Sequence, residues 1–172
     1  NWNDSDIEPM SALNSDPEVM KYFPRTNSLK ETEQFIGQMQ EMYRDKGYCY
    51  FAVDLLEDHT FIGFIGLKYQ VNEALPEPYV DIGWRLKKET WGHGYATEGA
   101  KACVRYAFMT LQLKNLFAIA TLQNRASEAV MKKIGMKKYG EFEASVFEDH
   151  PLYSTCIIYR LTRQAFDDQI KN

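Results

Sequence analysis

Residues 79–99 read YVDIGWRLKKETWGHGYATEG and carry the clearest local pattern in the chain. The even positions from 80 to 86 are apolar, whereas Asp81 and Arg85 lie between them, which is typical of a half-buried strand with one polar face. Gly92 and Gly94 follow, directly before a helical pattern over 95–110. The stretch therefore predicts a strand, a glycine loop and a helix in succession.

A glycine loop at the start of a helix can serve as an anion site. Glycine allows the backbone to approach a ligand closely, and the unpaired N–H groups of the first helical turn attract negative charge. A plain turn is the other interpretation, and Gly-x-Gly alone favours it. The chain contains no Gly-x-x-x-x-Gly-Lys-Ser/Thr, and Thr97 stands where a dinucleotide-binding fingerprint needs its third glycine.

The rest of the chain predicts helices packed on a mixed sheet. Capping-box spacing, Ser or Thr followed by Glu three residues on, occurs at Ser5, Ser15 and Ser28 and marks helix starts. The remaining predicted elements are strands 48–55 and 60–68, strand 115–122, helix 125–134 ending at Gly135, strands 138–146 and 152–161, and a terminal helix from Thr162. We expect one α+β domain over residues 1–172.

Composition excludes several classes of protein. The 172 residues are 45% hydrophobic and 26% charged, which is typical of a globular rather than a disordered chain. The net charge of −4 argues against nucleic acid or an anionic membrane as a partner. There is no long apolar run and no leader, and the three cysteines are far apart, so we expect reduced thiols and a cytoplasmic monomer or homodimer. His59, His93 and His150 are too scattered to predict a metal site.

A second block downstream carries a resemblance to a known family. Asn124-x-x-Ser127 precedes Met131-Lys-Lys-Ile-Gly-Met136, in the order and spacing of Asn-x-x-Ser and Lys-x-Gly-Phe. Together with Gly92 and Gly94, these residues resemble the GNAT superfamily of N-acetyltransferases, whose pyrophosphate loop reads Gln/Arg-x-x-Gly-x-Gly/Ala. The form of both blocks is similar to the branch of ribosomal-protein N-terminal acetyltransferases (RimJ/RimL-like). The resemblance extends from the helices near residue 5 to the strand near Leu161.

The resemblance implies a single-domain GNAT-like fold: a mixed, mostly antiparallel sheet, splayed centrally and flanked by helices. Acetyl-CoA would bind where strands 79–86 and 115–122 separate. The cofactor-binding residues would be Arg85 and Leu86 through backbone N–H groups, the loop Trp91, Gly92, His93, Gly94, Tyr95, Ala96 and Thr97, and then Asn124 and Ser127. Asn124 is also well placed as the N-cap of the helix at 125. The family's first strand is expected before Trp2.

Two departures from the family pattern bear on catalysis. Glu89 occupies the Gln/Arg position, so backbone amides would have to hold the phosphates. Met131 stands where many members have a tyrosine that protonates the leaving thiolate, which leaves Ser127 as the hydroxyl in this block. Asp81 and Glu98 are the candidate general bases. Their alternative roles are a solvated surface carboxylate for Asp81 and a favourable charge at the helix N-terminus for Glu98.

The acceptor implied by the resemblance is a primary amine. At pH 7 roughly one α-amino group in ten is neutral, against on the order of 0.04% of lysine side chains, so a lysine would need the stronger base. Acidic residues in two loops suggest a cationic acceptor, although such residues also serve solubility: Glu73, Glu77, Glu143, Glu148 and Asp149. The alternatives to an acetyltransferase are a non-catalytic acyl-CoA-binding module and a protein that binds ATP or NAD.

Overall fold

The computed structural model describes residues 1–171; Asn172, the last residue of the predicted domain, lies outside the described residues. Six strands are formed by Tyr50–Asp54 (β1), Phe61–Gln70 (β2), Tyr79–Leu86 (β3), Asn115–Thr121 (β4), Lys137–Glu143 (β5) and Thr155–Thr162 (β6). The helices are Ile7–Ser15 (α1), Pro17–Met20 (α2), Leu29–Lys46 (α3), Tyr95–Arg105 (α4), Arg125–Lys133 (α5), Pro151–Ser154 (α6) and Arg163–Lys171 (α7).

The six strands form one mixed sheet in the order β1-β2-β3-β4-β6-β5. Every neighbouring pair is antiparallel except β3 and β4, which run parallel. In the described part of the chain these two strands pair only through Asp81 and Phe117, whereas β2 and β3 pair along all of β3. The sheet is therefore splayed at its centre, as expected, and the predicted α+β class is confirmed.

The two faces of the sheet are covered by different helices. The apolar side chains of β3 pack with α4 and with Phe108 and Phe166 in the larger core. A β-carbon built on Gly99 of α4 would lie 2.5 Å from Cδ1 of Ile65, so an alanine there would require the end of the Ile65 side chain on β2 to move. The opposite face packs against α1 and α3 through an aromatic cluster that includes Trp2 and Phe64.

The helix boundaries follow the local signals in part. The capping box at Ser28 is confirmed, because Ser28 and Glu31 satisfy each other's backbone N–H groups. The predicted starts at Ser5 and Ser15 are wrong by one or two residues. The Asp6 carboxylate accepts from the Asn3 N–H at 2.8 Å, and Asp16 caps α2 by accepting from Glu18 at 2.8 Å.

Two further boundaries differ from the predictions. The helix predicted over 95–110 is α-helical only to Arg105 and continues as a π-helical turn over Tyr106–Thr110. The strand predicted from residue 152 begins at Thr155, because Pro151 starts the short helix α6. No strand precedes Tyr50 within residues 1–171.

None of the helices in that range has the length and the apolar composition that a membrane span requires.

Candidate active site

The gap between β3 and β4 exposes one backbone edge of β3. The N–H of Lys87 donates to the carbonyl of Ile62 on β2, so the odd-numbered residues of β3 direct their backbone groups to β2. The even-numbered residues therefore face β4, and beyond the Asp81–Phe117 pair these are Trp84 and Leu86. Leu86 therefore directs its backbone groups into the gap, which is where the prediction places its N–H group. The backbone of Arg85 is directed to β2 instead, which corrects the prediction that its N–H faces the cofactor.

The glycine loop lies between this gap and α4. Gly92 and Gly94 have φ of +81° and +91°, a left-handed conformation that favours glycine. A β-carbon at either position would meet no atom within 4 Å in the described structure, so conformation and not crowding requires these glycines. Gly94 is the N-cap of α4 and supplies no side-chain cap, so the first-turn N–H groups of Tyr95, Ala96 and Thr97 point out of the helix.

Two aromatic contacts shape this loop. The indole N–H of Trp91 donates to the carbonyl of Leu86 at 2.8 Å, which links the loop to the end of β3. The imidazole of His93 is exposed and stacks on Tyr95 with ring centroids 5.7 Å apart. Glu89 is exposed in the 3-10 turn Lys88–Thr90, so this stretch offers no cationic side chain at the position where the family has one.

The second block forms the start of α5, next to the end of β4. Oδ1 of Asn124 accepts from the Ser127 N–H at 3.1 Å, so Asn124 is the N-cap that its spacing predicts. Ser127 is half-buried in the first turn. Met131 is only 1% exposed and packs in the main core, so the position where many members have an acidic hydroxyl is here a structural apolar residue.

Asp81 is buried beside the gap, and the prediction of an exposed polar face on β3 is wrong. Its carboxylate is 8% exposed and accepts from the Tyr50 hydroxyl at 2.8 and 2.9 Å, with Nε2 of Gln70 at 3.5 Å. Burial raises the pKa of Asp81 to about 6, against the opposing effect of the Tyr50 and Gln70 hydrogen bonds. Burial and the adjacent carboxylate raise the pKa of Tyr50 well above its ordinary value.

Glu98, the other candidate base, has a different environment. It is exposed in the first turn of α4, whose Tyr95 and Ala96 pack inward on Leu86. This position suits the favourable interaction of a carboxylate with the helix N-terminus. Only Asp81 therefore combines burial with a position at the splayed edge.

The face of the sheet under α1 and α3 carries residues that the sequence did not single out. The Tyr50 ring covers Gly83, where a β-carbon would lie 2.8 Å from its Cζ, and stacks on Phe64 at 5.0 Å. Arg85 donates to Oδ1 of Asn14 at 2.6 Å. No local pattern marks Tyr50 or Asn14 as part of a site, because each meets its partner only across the fold.

The two acidic loops predicted to flank the acceptor contact each other. Glu73 accepts from the backbone N–H of Ser145 at 2.7 Å and from its hydroxyl at 3.0 Å. Glu143 accepts from the Thr155 hydroxyl at 2.8 Å, and its hydrogen bonds lower its pKa. Glu77, Glu148 and Asp149 are exposed. Nearby, the Tyr22 and Tyr153 rings meet edge to face at 6.1 Å, joining the α2 turn to α6.

The histidines lie apart from one another. His59 adopts φ of +58° in the turn between β1 and β2, and His150 is exposed before α6. Within residues 1–171 no three His, Cys, Asp or Glu side chains are grouped so that they could hold a metal ion.

Comparison with known proteins agrees with this geometry. The family model described as "Acetyltransferase (GNAT) domain" matches residues 1–137. The uncharacterized N-acetyltransferase YnaD from Bacillus subtilis is 31% identical over 142 residues, which are 82% of this chain and 79% of that protein.

Solved structures share the fold over almost the whole chain. A GNAT-family acetyltransferase from Bacillus anthracis superposes with a TM-score of 0.77 at 25% identity, covering 95% of this chain and 92% of that one. Spermidine N-acetyltransferase from Vibrio cholerae, in complex with CoA and spermine, has a TM-score of 0.74 at 17% identity, covering 96% and 94%. The glycine loop, the splayed sheet and these matches establish that this chain is an acetyltransferase belonging to the GNAT family.

Proposed function

We propose that the chain transfers an acetyl group from acetyl-CoA directly to a primary amine. The observation that carries this proposal is the arrangement at the centre of the sheet. A glycine loop connects the end of β3 to the uncapped N-terminus of α4. This loop lies beside the gap between β3 and β4, and the buried carboxylate of Asp81 lies where that gap begins. The family uses acetyl-CoA, and we extend that cosubstrate to this chain.

The loop and the strand edge would share the binding of acetyl-CoA. The N–H groups of residues 92–97 suit the pyrophosphate, because they combine free donors with the positive end of the α4 dipole. The N–H groups of Trp84 and Leu86 face the gap and suit the pantetheine and the thioester carbonyl. Asn124 uses its side-chain oxygen for the cap, so its Nδ2 amide can donate to the pantetheine arm.

Asp81 is the proposed general base. The neutral amine attacks the thioester carbonyl carbon, the new C–N bond forms, the C–S bond breaks, and the amine gives up one proton. A carboxylate with a pKa of about 6 is mostly ionised at pH 7 and is a stronger base than an ordinary aspartate. The amine proton goes to Asp81. We propose that the leaving thiolate takes its proton from solvent through the Ser127 hydroxyl, which regains a proton from water as it passes one on.

Glu98 is the second candidate, and the structure favours it less. Its carboxylate is exposed in the first turn of α4, whereas that of Asp81 is buried beside the gap. Ser127 has support from position alone, because it lies in the first turn of α5 next to the end of β4. We place the chain in the RimJ/RimL-like branch on the same Asn124-x-x-Ser127 block.

The acceptor is proposed as a peptide N-terminus or a small amine. The solved relatives named for spermidine share the fold at low identity, so they bear on this chain only as an indication that the fold accepts amines. The exposed Glu77, Glu148 and Asp149 support an acceptor with positive charge, whereas Glu73 is engaged by Ser145. Cys49, Cys103 and Cys156 are free thiols, which supports a cytoplasmic location. For the oligomeric state we propose a monomer or a homodimer.

Thermal-shift titration with acetyl-CoA, CoA, ATP and NAD tests the binding step. A ligand at about 100 times its Kd adds about 2.7 kcal/mol to the free energy of unfolding, which is several degrees for a domain of this size. Release of free thiol with a panel of amines then tests turnover. Tight acetyl-CoA binding without thiol release would favour the non-catalytic module, and a larger shift with ATP or NAD would contradict the assignment of the loop.

A further inference from the structure

The face of β3 opposite α4 holds a guanidinium that has no acidic partner. Nη1 of Arg85 donates to Oδ1 of Asn14 at 2.6 Å, and its Nε is buried without a hydrogen-bond partner. Among residues 1–171, no carboxylate oxygen forms an ion pair with it. The Arg85 side chain is half-buried, and withdrawing a charge from water without pairing it is costly, so this arrangement favours a counter-charge from outside the chain.

The surroundings of Arg85 hold the guanidinium in one orientation. Its Cζ lies 4.1 Å from the centroid of Phe23 and 5.5 Å from that of Phe64, so two aromatic rings contact it. Asn14 is 1% exposed, and its Nδ2 donates to the Thr32 hydroxyl at 2.9 Å, which fixes Oδ1 toward Arg85. A planar, pre-oriented fork of N–H donors is the geometry that recognises carboxylate and phosphate groups.

The position of Arg85 separates it from the pyrophosphate loop. Trp84 and Leu86 direct their side chains to the cores beneath α4, so Arg85, between them, points to the opposite face. It pairs in register with Phe64 on that face. The Tyr50 ring over Gly83 lies between Asp81 and Arg85, whose Cα atoms are roughly 13 Å apart at about 3.3 Å per residue.

We infer that Arg85 binds an oxyanion carried by the acceptor, so that the acceptor is a small amine that also bears a carboxylate or phosphate group. This inference rests on the proposed function and narrows its substrate class. The exposed Glu77, Glu148 and Asp149 attract the ammonium group, and Arg85 takes the oxyanion on the same face as Asp81. Burial lowers the pKa of Arg85 to about 10, and a bound oxyanion would oppose that effect by favouring the charged form.

Matched pairs of amines that differ in the oxyanion provide the test, and each kcat/KM is referred to the concentration of the neutral amine, because the oxyanion also changes the amine pKa. Acetyl-CoA-dependent thiol release is measured with lysine against cadaverine, arginine against agmatine, tyrosine against tyramine, and phosphoethanolamine against ethanolamine. We expect kcat/KM to be about ten- to hundredfold higher for the member with the oxyanion, the usual range for a hydrogen bond to a charged group. The first three pairs report a carboxylate and the fourth a phosphate.

Substitution of Arg85 assigns the preference to this side chain. R85Q is expected to abolish the ratio within each preferred pair, and R85K to retain a weak preference, because lysine keeps the charge without the fork. R44Q, which removes an exposed guanidinium from α3, is the matched control and should keep the ratio. The thermal shift with acetyl-CoA is followed for each variant to separate loss of folding or of cofactor binding from loss of preference.

A binding measurement keeps the inference testable without turnover. The Nε–H resonance of Arg85, assigned by its loss in R85K, is expected to shift on titration with sodium acetate or sodium phosphate, but not with sodium chloride at equal ionic strength. Equal kcat/KM within all pairs, or a ratio that survives R85Q, overturns the inference while leaving the acetyltransferase proposal intact. If no amine is acetylated, the proposed function fails, and an unshifted resonance then overturns the inference as well.

Discussion

Replacing Asp81 by asparagine is expected to abolish most activity and to stabilise the protein at neutral pH. The carboxylate is buried, and its pKa is raised from 3.8 to about 6 because ionisation in this environment is unfavourable. A raised acid pKa means that the folded state holds the proton more tightly than the unfolded state. The protonated carboxyl therefore contributes stability that is complete below pH 3.8 and is lost as the pH rises through about 6.

The two pKa values set the size of the stability effect. A difference of 6 − 3.8, at about 1.4 kcal/mol for each unit, gives an upper limit of about 3 kcal/mol. Asparagine carries no charge and can still accept from the Tyr50 hydroxyl. D81N should therefore unfold several degrees above the natural protein at pH 8, and the gap should narrow steadily toward pH 4.

The same pKa sets the expected pH dependence of catalysis. If Asp81 is the base, about half of the natural enzyme is competent at pH 6 and about a tenth at pH 5. D81N should lower kcat by roughly 100-fold or more. It should also lose the acidic limb of the pH–rate profile, which is the fall of kcat as the pH decreases through about 6. Y50F is the matched variant: it removes a hydrogen bond that lowers the pKa of Asp81, so the limb should move to higher pH while activity returns at alkaline pH.

Differential scanning fluorimetry from pH 4 to pH 8 and thiol-release kinetics over the same range provide both readouts. If the difference in melting temperature between D81N and the natural protein does not grow with pH, the interpretation that burial of the ionised Asp81 carboxylate destabilises the fold is refuted. A D81N enzyme that retains more than about a tenth of the activity would refute the assignment of the base, whatever its stability.

Three other substitutions separate the remaining roles. G94A should cost about 1–2 kcal/mol of stability because φ there is +91°, and should weaken acetyl-CoA binding in the thermal-shift titration, whereas G37A within α3 should be neutral or stabilising. N124D should preserve the helix cap, and hence the melting temperature, while raising the Kd for acetyl-CoA, because it replaces the amide donor; an unchanged Kd would restrict Asn124 to capping. E98Q should leave kcat within about threefold, and a pH limb lost in this variant would transfer the role of base to Glu98.

The parts of the fold that local chemistry controls were predictable. A glycine pair before a helical pattern predicts left-handed backbone at Gly92 and Gly94, because only glycine adopts it at low cost. The Ser28 capping box, the alternation of β3 and the N-cap at Asn124 each depend on residues within four positions of one another. The starts of the first helices were less predictable, because several polar residues there compete to cap the same turn.

The electrostatic character of the site was not predictable in this way. The alternation in β3 indicated one solvated face, yet α1 and α3 cover it, so that Asp81 is buried and Arg85 is half-buried. The partners that define their chemistry are distant in sequence: Tyr50 is 31 residues from Asp81, and Asn14 is 71 residues from Arg85. A sequence pattern shows the type of each side chain, but it does not show how far folding removes that side chain from water.

Residue types alone were enough to predict the order of the elements, the conformation of the glycine loop and, through two motif blocks, the family. Each of these depends on backbone sterics and hydrogen bonds between near neighbours, which the residue types specify directly. The tertiary structure alone showed that β3 and β4 separate at the Asp81–Phe117 pair, that Asp81 is a buried carboxylate with a raised pKa, and that Arg85 has no acidic partner within residues 1–171. Those properties arise from burial and long-range contacts, because pKa and charge pairing depend on the whole environment that the packed helices create.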